Sequence, residues 1–311
     1  MISETATRLR ENIQRVIFGK DETINLALIA MLCEGHLLLE DVPGTGKTTL
    51  AKTIAASLGC TFRRVQFTPD LLPSDLTGIY YFNQKNQEFE FRPGPLMAQI
   101  LLADEINRAT PRTQSALLES MQERQVTVDI ATHELPRPFM VMATQNPIEL
   151  EGTFPLPEAQ LDRFLIKLSI GYPDAVGENN ILLRFEKDDP LETLEKVVQP
   201  EEILQLQKDV RQIKVEESVR NYLVNVCRAT RTHEAIALGA SPRATMALYL
   251  TSQARAAIEG RDFVIPDDVK VMAPYVLTHR MVVNPQTRLR GRTAEDVLRE
   301  VVETVPVPVE A

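Results

Sequence analysis

Up to Asp174 the chain carries five short apolar runs, at 36–39, 62–67, 99–103, 139–143 and 164–170, separated by stretches with helical spacing. Each run has strand length and is rich in β-favouring residues. Strands alternating with helices predict a parallel sheet covered by helices. The stretch 178–200 reads as a connection: acids, lysines, two prolines and few aromatics. Beyond it the period lengthens. Val219, Leu223, Val226 and Cys227 follow steps of three and four, as do Met246, Leu250 and Ala254. Pro266, followed by Asp267 and Asp268, starts another helix with Val269 and Met272 on its inner face. The expected organisation is an α/β unit over 1–187 and an all-helical unit over 188–311.

Two segments depart from this alternation. In 79–95, Tyr80-Tyr81-Phe82 precedes a polar turn at 83–87, and then Phe89 and Phe91 alternate with charged residues. In 125–139, Val126, Val128 and Ile130 alternate before a short turn and Glu134-Leu135-Pro136. Both read as β-hairpins inserted between the sheet strands.

Composition narrows the function. The 311 residues are ordinary globular material with room for about two domains. There are 34 Lys and Arg against 43 Asp and Glu, a net charge of −9. That balance disfavours coating of nucleic acid, which needs clustered positive charge. Aromatics are 5% with no Trp, which disfavours base-stacking surfaces. Cys33, Cys60 and Cys227 are far apart and odd in number, so neither a disulfide framework nor a zinc site is expected. The N-terminus lacks the apolar core of a signal peptide. The apolar run 26–33 falls far short of the ~20 residues that span a bilayer. A cytoplasmic location without membrane insertion is expected.

The candidate chemistry begins where the first strand ends. Asp41-Val42-Pro43-Gly44-Thr45-Gly46-Lys47-Thr48-Thr49 runs into a helical segment. Strand, glycine-rich loop and helix are the context that a phosphate-binding P-loop requires. Gly44 and Gly46 let backbone N–H groups face an anion, and the helix adds its positive end. Lys47 is placed to reach the β- and γ-phosphates, and the Thr48 hydroxyl to ligate Mg²⁺. Pro43, Thr45 and Thr49 complete the loop. Asp41 stands where the general pattern has its first glycine. Further on, the apolar run 99–103 ends in Asp104-Glu105. Parallel sheets present ligands at the carboxyl ends of their strands. Asp104 can therefore hold the metal, and Glu105 can polarise the attacking water as a general base.

These segments, in order, resemble the MoxR family within the helix-2-insert branch of the AAA+ ATPases. The resemblance rests on 41–48, on Gln66-Phe67-Thr68-Pro69-Asp70-Leu71-Leu72-Pro73-Ser74-Asp75-Leu76-Thr77-Gly78 and on Ala103-Asp104-Glu105-Ile106-Asn107-Arg108-Ala109. It continues through 114–123, Ala143-Thr144-Gln145-Asn146-Pro147, the long segment 151–164 and Ser241-Pro242-Arg243-Ala244. It implies a P-loop AAA+ core with a parallel sheet between helices, followed by a small all-helical lid. ATP and Mg²⁺ are the implied cofactors.

The same resemblance implies roles for single residues. Asn146 resembles sensor 1, which orients the attacking water; an Asn-Pro turn fits the local sequence equally well. Arg163 resembles the arginine finger that reaches a neighbouring subunit's nucleotide, against an ion pair with Asp162 or Glu158. Arg243 resembles sensor 2 in the lid, acting on its own or a neighbour's nucleotide. Arg108 and Arg112 are weaker intersubunit candidates, each equally suited to a solvated face. Gly19, with Ile17 and Phe18, resembles the turn near adenine, or is a simple loop between helices. The implied partners are further copies of the chain in a ring, a hexamer, and a client protein contacted by the hairpins. A separate protein with a von Willebrand factor A domain is also implied. Alternatives are a magnesium-chelatase-like ATPase subunit, a nucleic-acid-translocating motor and a slow nucleotide-gated scaffold.

Overall fold

The computed structural model describes residues 2–129, 131–147, 152–185 and 190–308. Its strands are β1 (Leu37–Glu40), β2 (Phe62–Gln66), β3 (Gly78–Asn83), β4 (Glu88–Pro93), β5 (Ile100–Asp104), β6 (Gln125–Val128), β7 (Ala131–Glu134), β8 (Met140–Gln145), β9 (Ile166–Leu168), β10 (Ile236–Leu238) and β11 (Val282–Val283). The helices of the first part are α1 (Ile2–Gln14), α2 (Asp21–Leu32), α3 (Lys47–Ser57), α4 (Pro73–Thr77), α5 (Pro111–Glu123), α6 (Glu158–Leu161) and α7 (Ala175–Phe185). Those of the second are α8 (Pro200–Val210), α9 (Glu217–Thr232), α10 (Pro242–Ile258), α11 (Pro266–Leu277), α12 (Pro285–Leu289) and α13 (Ala294–Thr304).

The five apolar runs form one sheet in the order β2-β5-β8-β1-β9, every pair parallel. Side chains alternate across a strand, so each buried strand feeds two cores. Leu37, Leu39, Ile100, Leu102, Met140 and Met142 face one apolar cluster. Leu38, Leu101, Ala103, Val141 and Ala143 face the other, beneath α5. The first cluster continues through Leu9 of α1 and Leu28 of α2 to Leu206 of α8 and Leu248 of α10. The helical unit thus docks on the N-terminal helices by continuous apolar packing. Polar ties add to it. Gln207 donates to the Met31 carbonyl at 2.7 Å, and Arg211 pairs with Glu34, which Arg124 of the first part also holds.

Three expectations need adjustment. The connection expected over 178–200 begins with a helix, α7, whose first turn is closed by Asp174 accepting from the Gly177 N–H at 2.7 Å. Val176 and Leu182 on it are exposed, so its apolar residues follow no core-facing stripe that periodicity could detect. The expected boundary between 187 and 188 lies outside the described residues, as do Ile130 and Glu151. The lid is helical but carries a two-stranded antiparallel ribbon, β10 with β11. Strands of two or three residues are too short for a period to show. Met246 is 66% exposed and lies off the inner face of α10, which instead buries Ala244, Ala247, Leu248 and Thr251.

Both inserted hairpins form. β3 pairs with β4 and β6 with β7, each antiparallel. The two are joined: the Phe91 ring stacks on His133 at 4.0 Å, and the Tyr80 hydroxyl lies 3.2 Å from His133 Nε2. At the tip of the first, Glu90 is held by Tyr81 and Asn83 at 2.9 and 2.8 Å. Phe82 and Phe89 meet edge to face there, 50% and 72% exposed.

Candidate functional site

The loop between β1 and α3 has the form its sequence calls for. Gly44 and Gly46 take φ of +85° and +83°, the left-handed region that favours glycine. Nothing lies within 4 Å of the Cβ either would carry, so the concave side of the loop is open. Gly46 is the N-cap of α3 and brings no capping side chain. The N–H groups of the first helical turn are therefore available to an anion. Lys47 Nζ donates to the Asp41 and Val42 carbonyls at 3.0 and 2.7 Å. Burial pushes its pKa below the ordinary lysine value, opposed by the carboxylates of Asp41, Asp104 and Glu105.

Asp41, at the first-glycine position of the loop, engages the segment after β9 through its carboxylate. It is buried, and its carboxylate accepts from Ser169 Oγ at 2.9 Å, from the Gly171 N–H at 3.2 Å and from the Ile170 N–H. The acid thus fastens the segment after β9 to the start of the P-loop. Asp41→Gly, which restores the general pattern, is expected to destabilise the fold by about 1–3 kcal/mol through buried donors left unpaired. Chemical denaturation measures it, and an unchanged midpoint contradicts it.

Two cavities meet at the loop. One, of about 380 Å³, is largely apolar and lined by Val16, Ile17, Phe18, Ile170, Pro173 and Leu191 together with residues of the loop. The other, of about 290 Å³, is polar and lined by Asp41, Arg64, Gln66, Asp104, Glu105, Thr144, Gln145, Asn146 and 43–49. Gly44, Thr45, Gly46, Thr48 and Thr49 line both. An apolar chamber joined to a polar one through a phosphate loop suits a purine nucleoside with its phosphates. Gly19 is not among the described lining residues. It makes the left-handed turn, φ +59°, between Phe18 and Lys20, which do line the apolar cavity.

The polar cavity gathers Thr48, Asp104, Glu105 and Asn146. Asp104 ends β5, and Thr144 of the adjacent β8 donates to its Oδ1 at 2.7 Å while accepting from the Glu105 N–H at 2.8 Å. Glu105 has φ 57° and ψ 52°, the left-handed region, an uncommon and costly conformation for a glutamate. Its Oε2 accepts from Gln66 at 2.6 Å and from Arg108 at 2.9 Å. Arg108 thus contacts Glu105 and does not simply occupy a solvated face. Asn146 is buried just beyond the end of β8. No cluster of three or more His, Cys, Asp or Glu forms a metal nest among the described residues. Mg²⁺ takes one or two protein ligands and completes its shell with phosphate oxygens and water. Thr48 and Asp104, lining one cavity, fit that ligand set.

Sequence reasoning does not single out Arg64 or Thr144. Arg64 Nε and Nη2 both donate to Asp104 Oδ2, at 3.0 and 2.7 Å, and Nη2 also reaches Gln66 Oε1. The parallel register sets Gln66 beside Asp104, and Arg64 lies two residues earlier on the same face. The alternating polar pair Arg64 and Gln66 at a strand's carboxyl end was the available signal. Only the order of strands says which neighbour it meets.

Arg163 and Arg243 are not among the described residues lining the polar cavity. Arg163 follows α6, half-buried, and Asp162 beside it pairs with Arg280 of the lid at 2.7 Å. The ion-pair alternative for Asp162 is therefore met by a distant residue. Arg243 lies exposed in the first turn of α10, with Nη2 3.4 Å from Gln122 Oε1 of α5. Ser241, the N-cap of that helix, donates to Asp162 at 3.2 Å. The two arginines therefore stand on either side of one core–lid junction.

Residues 36–166 match the family model described as the ATPase family associated with various cellular activities, and 228–301 match that of the AAA lid domain. The chain is 42% identical to Chaperone MoxR1 of Mycobacterium tuberculosis over 313 residues, covering 98% of this chain and 82% of that one. The chain belongs to the MoxR family of AAA+ ATPases. Protein MoxR of Methylorubrum extorquens is 33% identical over 98% of this chain and 96% of its own. The uncharacterized protein YeaC of Bacillus subtilis is 52% identical, over 96% and 94%. A crystal structure of a Cytophaga hutchinsonii protein assigned as an ATPase superposes with a TM-score of 0.93 at 36% identity, covering 99% of this chain and 96% of that one. This MoxR-family protein is thus a nucleotide-binding ATPase with a P-loop core and a helical lid. No described helix is long and apolar enough to cross a membrane.

Proposed function

We propose that this MoxR-family protein hydrolyses ATP with Mg²⁺ in a homo-oligomeric ring, a hexamer, and uses the cycle to remodel or mature partner proteins. The observation that carries the reading is the position of Arg163 and Arg243. Both stand at the core–lid junction, outside the described lining of their own phosphate cavity. In the proposed ring they act on the neighbouring subunit's nucleotide. Within one subunit, the apolar cavity takes the nucleoside, and the loop N–H groups and Lys47 take the phosphates. Mg²⁺, when bound, neutralises phosphate charge. Thr48 and Asp104 would hold it, beside Arg64, which here donates to Asp104 Oδ2. Glu105 accepts the proton of the attacking water and Asn146 orients that water. Arg163 stabilises the charge that develops as the γ-phosphoryl leaves.

The direction of the work is supported by the relative named Chaperone MoxR1. The aromatic tip of β3–β4 supports contact with a client, since exposed paired aromatics favour an apolar segment of a partner. A separate protein with a von Willebrand factor A domain is a further partner, and the machine works in the cytoplasm. The test of the ring is specific ATPase activity against protein concentration. A site completed between subunits gives activity that rises with concentration and with assembly measured by light scattering. A rate per subunit independent of concentration, from monomers, overturns it. A flat and negligible rate supports a scaffold instead.

The hairpin has its own test. Phe82→Ser with Phe89→Ser is expected to leave basal ATP turnover unchanged and to abolish client remodelling. Captured proteins are compared for the variant and its parent by mass spectrometry, both carrying Glu105→Gln and held with ATP. Parallel loss of turnover and capture refutes the division of labour.

A further inference from the structure

The core turn at 162–165 is held from the lid chiefly by one guanidinium. Arg280 is 5% exposed and lies in the short turn after α11. Its Nε donates to Asp162 Oδ1 at 2.7 Å, and Nη2 donates to the Asp162 and Phe164 carbonyls at 3.2 and 2.6 Å. Nη1 donates to the Leu165 carbonyl at 3.1 Å and to that of Val276 in its own unit. His279, next to it, is 3.0 Å from the Phe164 carbonyl through Nε2. Burial and the adjacent guanidinium hold the His279 pKa far below its ordinary value, so the neutral ring donates there. Asp162 is shared: Ser241, whose hydroxyl also caps α10 by accepting from Ala244 N–H at 3.1 Å, donates to it.

This arrangement exceeds what docking two units needs. Apolar packing already joins lid and core along α1, α2, α8 and α10. The buried guanidinium directs four of its five bonds to three core residues on either side of Arg163, namely Asp162, Phe164 and Leu165, and its carboxylate partner also touches the cap of the helix that carries Arg243. A planar fork fixes direction as well as distance, which a lysine ammonium cannot. We propose that Arg280 is a positioning residue that binds Arg163 and Arg243 into one unit, so that movement of the lid moves the arginine offered to the neighbouring subunit. The inference rests on the intersubunit reading of Arg163 given above. In that arrangement, Arg280 touches no nucleotide and acts only through the turn it holds. A lid displaced by nucleotide on one subunit would thereby shift the arginine presented to the next, a mechanical link between adjacent sites.

Arg280→Lys keeps the charge beside Asp162 and loses the fork. The expected result is a lowered melting temperature, since buried carbonyls lose their donors, but unchanged own-site affinity for a fluorescent ATP analogue, with single-turnover hydrolysis slowed roughly a hundredfold, the cost of about 1 Å of misplacement. In an Arg163→Ala background the same substitution is expected to slow hydrolysis by far less, because the group it positions is gone. Amide hydrogen exchange over 158–165 and 241–244 should quicken together while exchange over 44–50 stays constant. Equal fold-losses in both backgrounds, or a loss of nucleotide affinity that accounts for the loss of turnover, overturn the proposal. If Arg280→Lys fails to fold, Asp162→Asn carries the same test, since it removes the carboxylate charge that Arg280 and Ser241 share. An Arg163→Ala variant with undiminished turnover takes down the finger reading and this inference together. A diminished Arg163→Ala variant with independent, multiplying losses from Arg280→Lys removes only the clamp.

Discussion

Arg163→Ala is expected to bind ATP and ADP as tightly as the parent protein and to lose about a thousandfold or more in turnover, the worth of an arginine finger. The reason is geometric. Arg163 is absent from the described lining of its own polar cavity, which Lys47 and the other loop residues line. Removing it therefore leaves ground-state binding untouched and removes charge stabilisation as the phosphoryl group transfers. Equilibrium titration with a fluorescent nucleotide, beside turnover at saturating ATP, separates the two effects. Mixing sharpens the test. Arg163→Ala subunits supply an intact P-loop and lack a finger, while Lys47→Ala subunits supply the finger and lack a working P-loop. Neither hydrolyses well alone, and mixing the two restores activity at mixed interfaces. Failure of the mixture to exceed the sum of its parts, or a rise in the nucleotide dissociation constant equal to the loss of turnover, contradicts an intersubunit role.

Glu105→Gln is expected to slow hydrolysis by about a hundredfold or more while ATP remains bound, because general-base catalysis contributes at that level. The amide keeps the size of the side chain and an acceptor for Gln66 or Arg108, yet it cannot take a proton at neutral pH. The left-handed backbone at this position comes from the turn after β5, which a glutamine tolerates as a glutamate does. The expected product is a long-lived ATP-bound assembly, detected as a larger species that persists through gel filtration with ATP and dissociates with ADP. Turnover within error of the parent would remove Glu105 from the reaction. Turnover lost together with nucleotide binding would make its role structural.

Much of the architecture is legible in the chain. The five apolar runs are the five parallel strands; the central three, β5, β8 and β1, are buried on both faces, which selects short continuous aliphatic stretches, whereas β2 at the edge is partly exposed. Gly44 and Gly46 are legible because only glycine takes left-handed φ at low cost twice within three residues. The acids at the end of β5 are legible because ligands gather at the carboxyl ends of a parallel sheet. The helix 175–185 is hidden by its exposed apolar residues, and the ribbon of β10 and β11 by its brevity. Asp41 reads as a departure from a pattern. Its function as the fastener of 169–171 depends on a strand 125 or more residues later in the chain.

What the sequence determines by itself is therefore local and periodic. It sets the sheet, the phosphate loop, the paired acids, the two hairpins and the membership of a family, because each depends on spacing within a few residues or on motif order. The tertiary structure alone decides the contacts between segments that no spacing links. It puts Arg64 on Asp104, Gln66 and Arg108 on Glu105, and His133 between two hairpins. It closes Arg280 of the lid over the turn that carries Arg163. Those pairings follow from strand order and from lid docking, which are set by the summed burial of apolar faces across the molecule. A guanidinium can find a carboxylate 118 positions away only after that burial has brought them together.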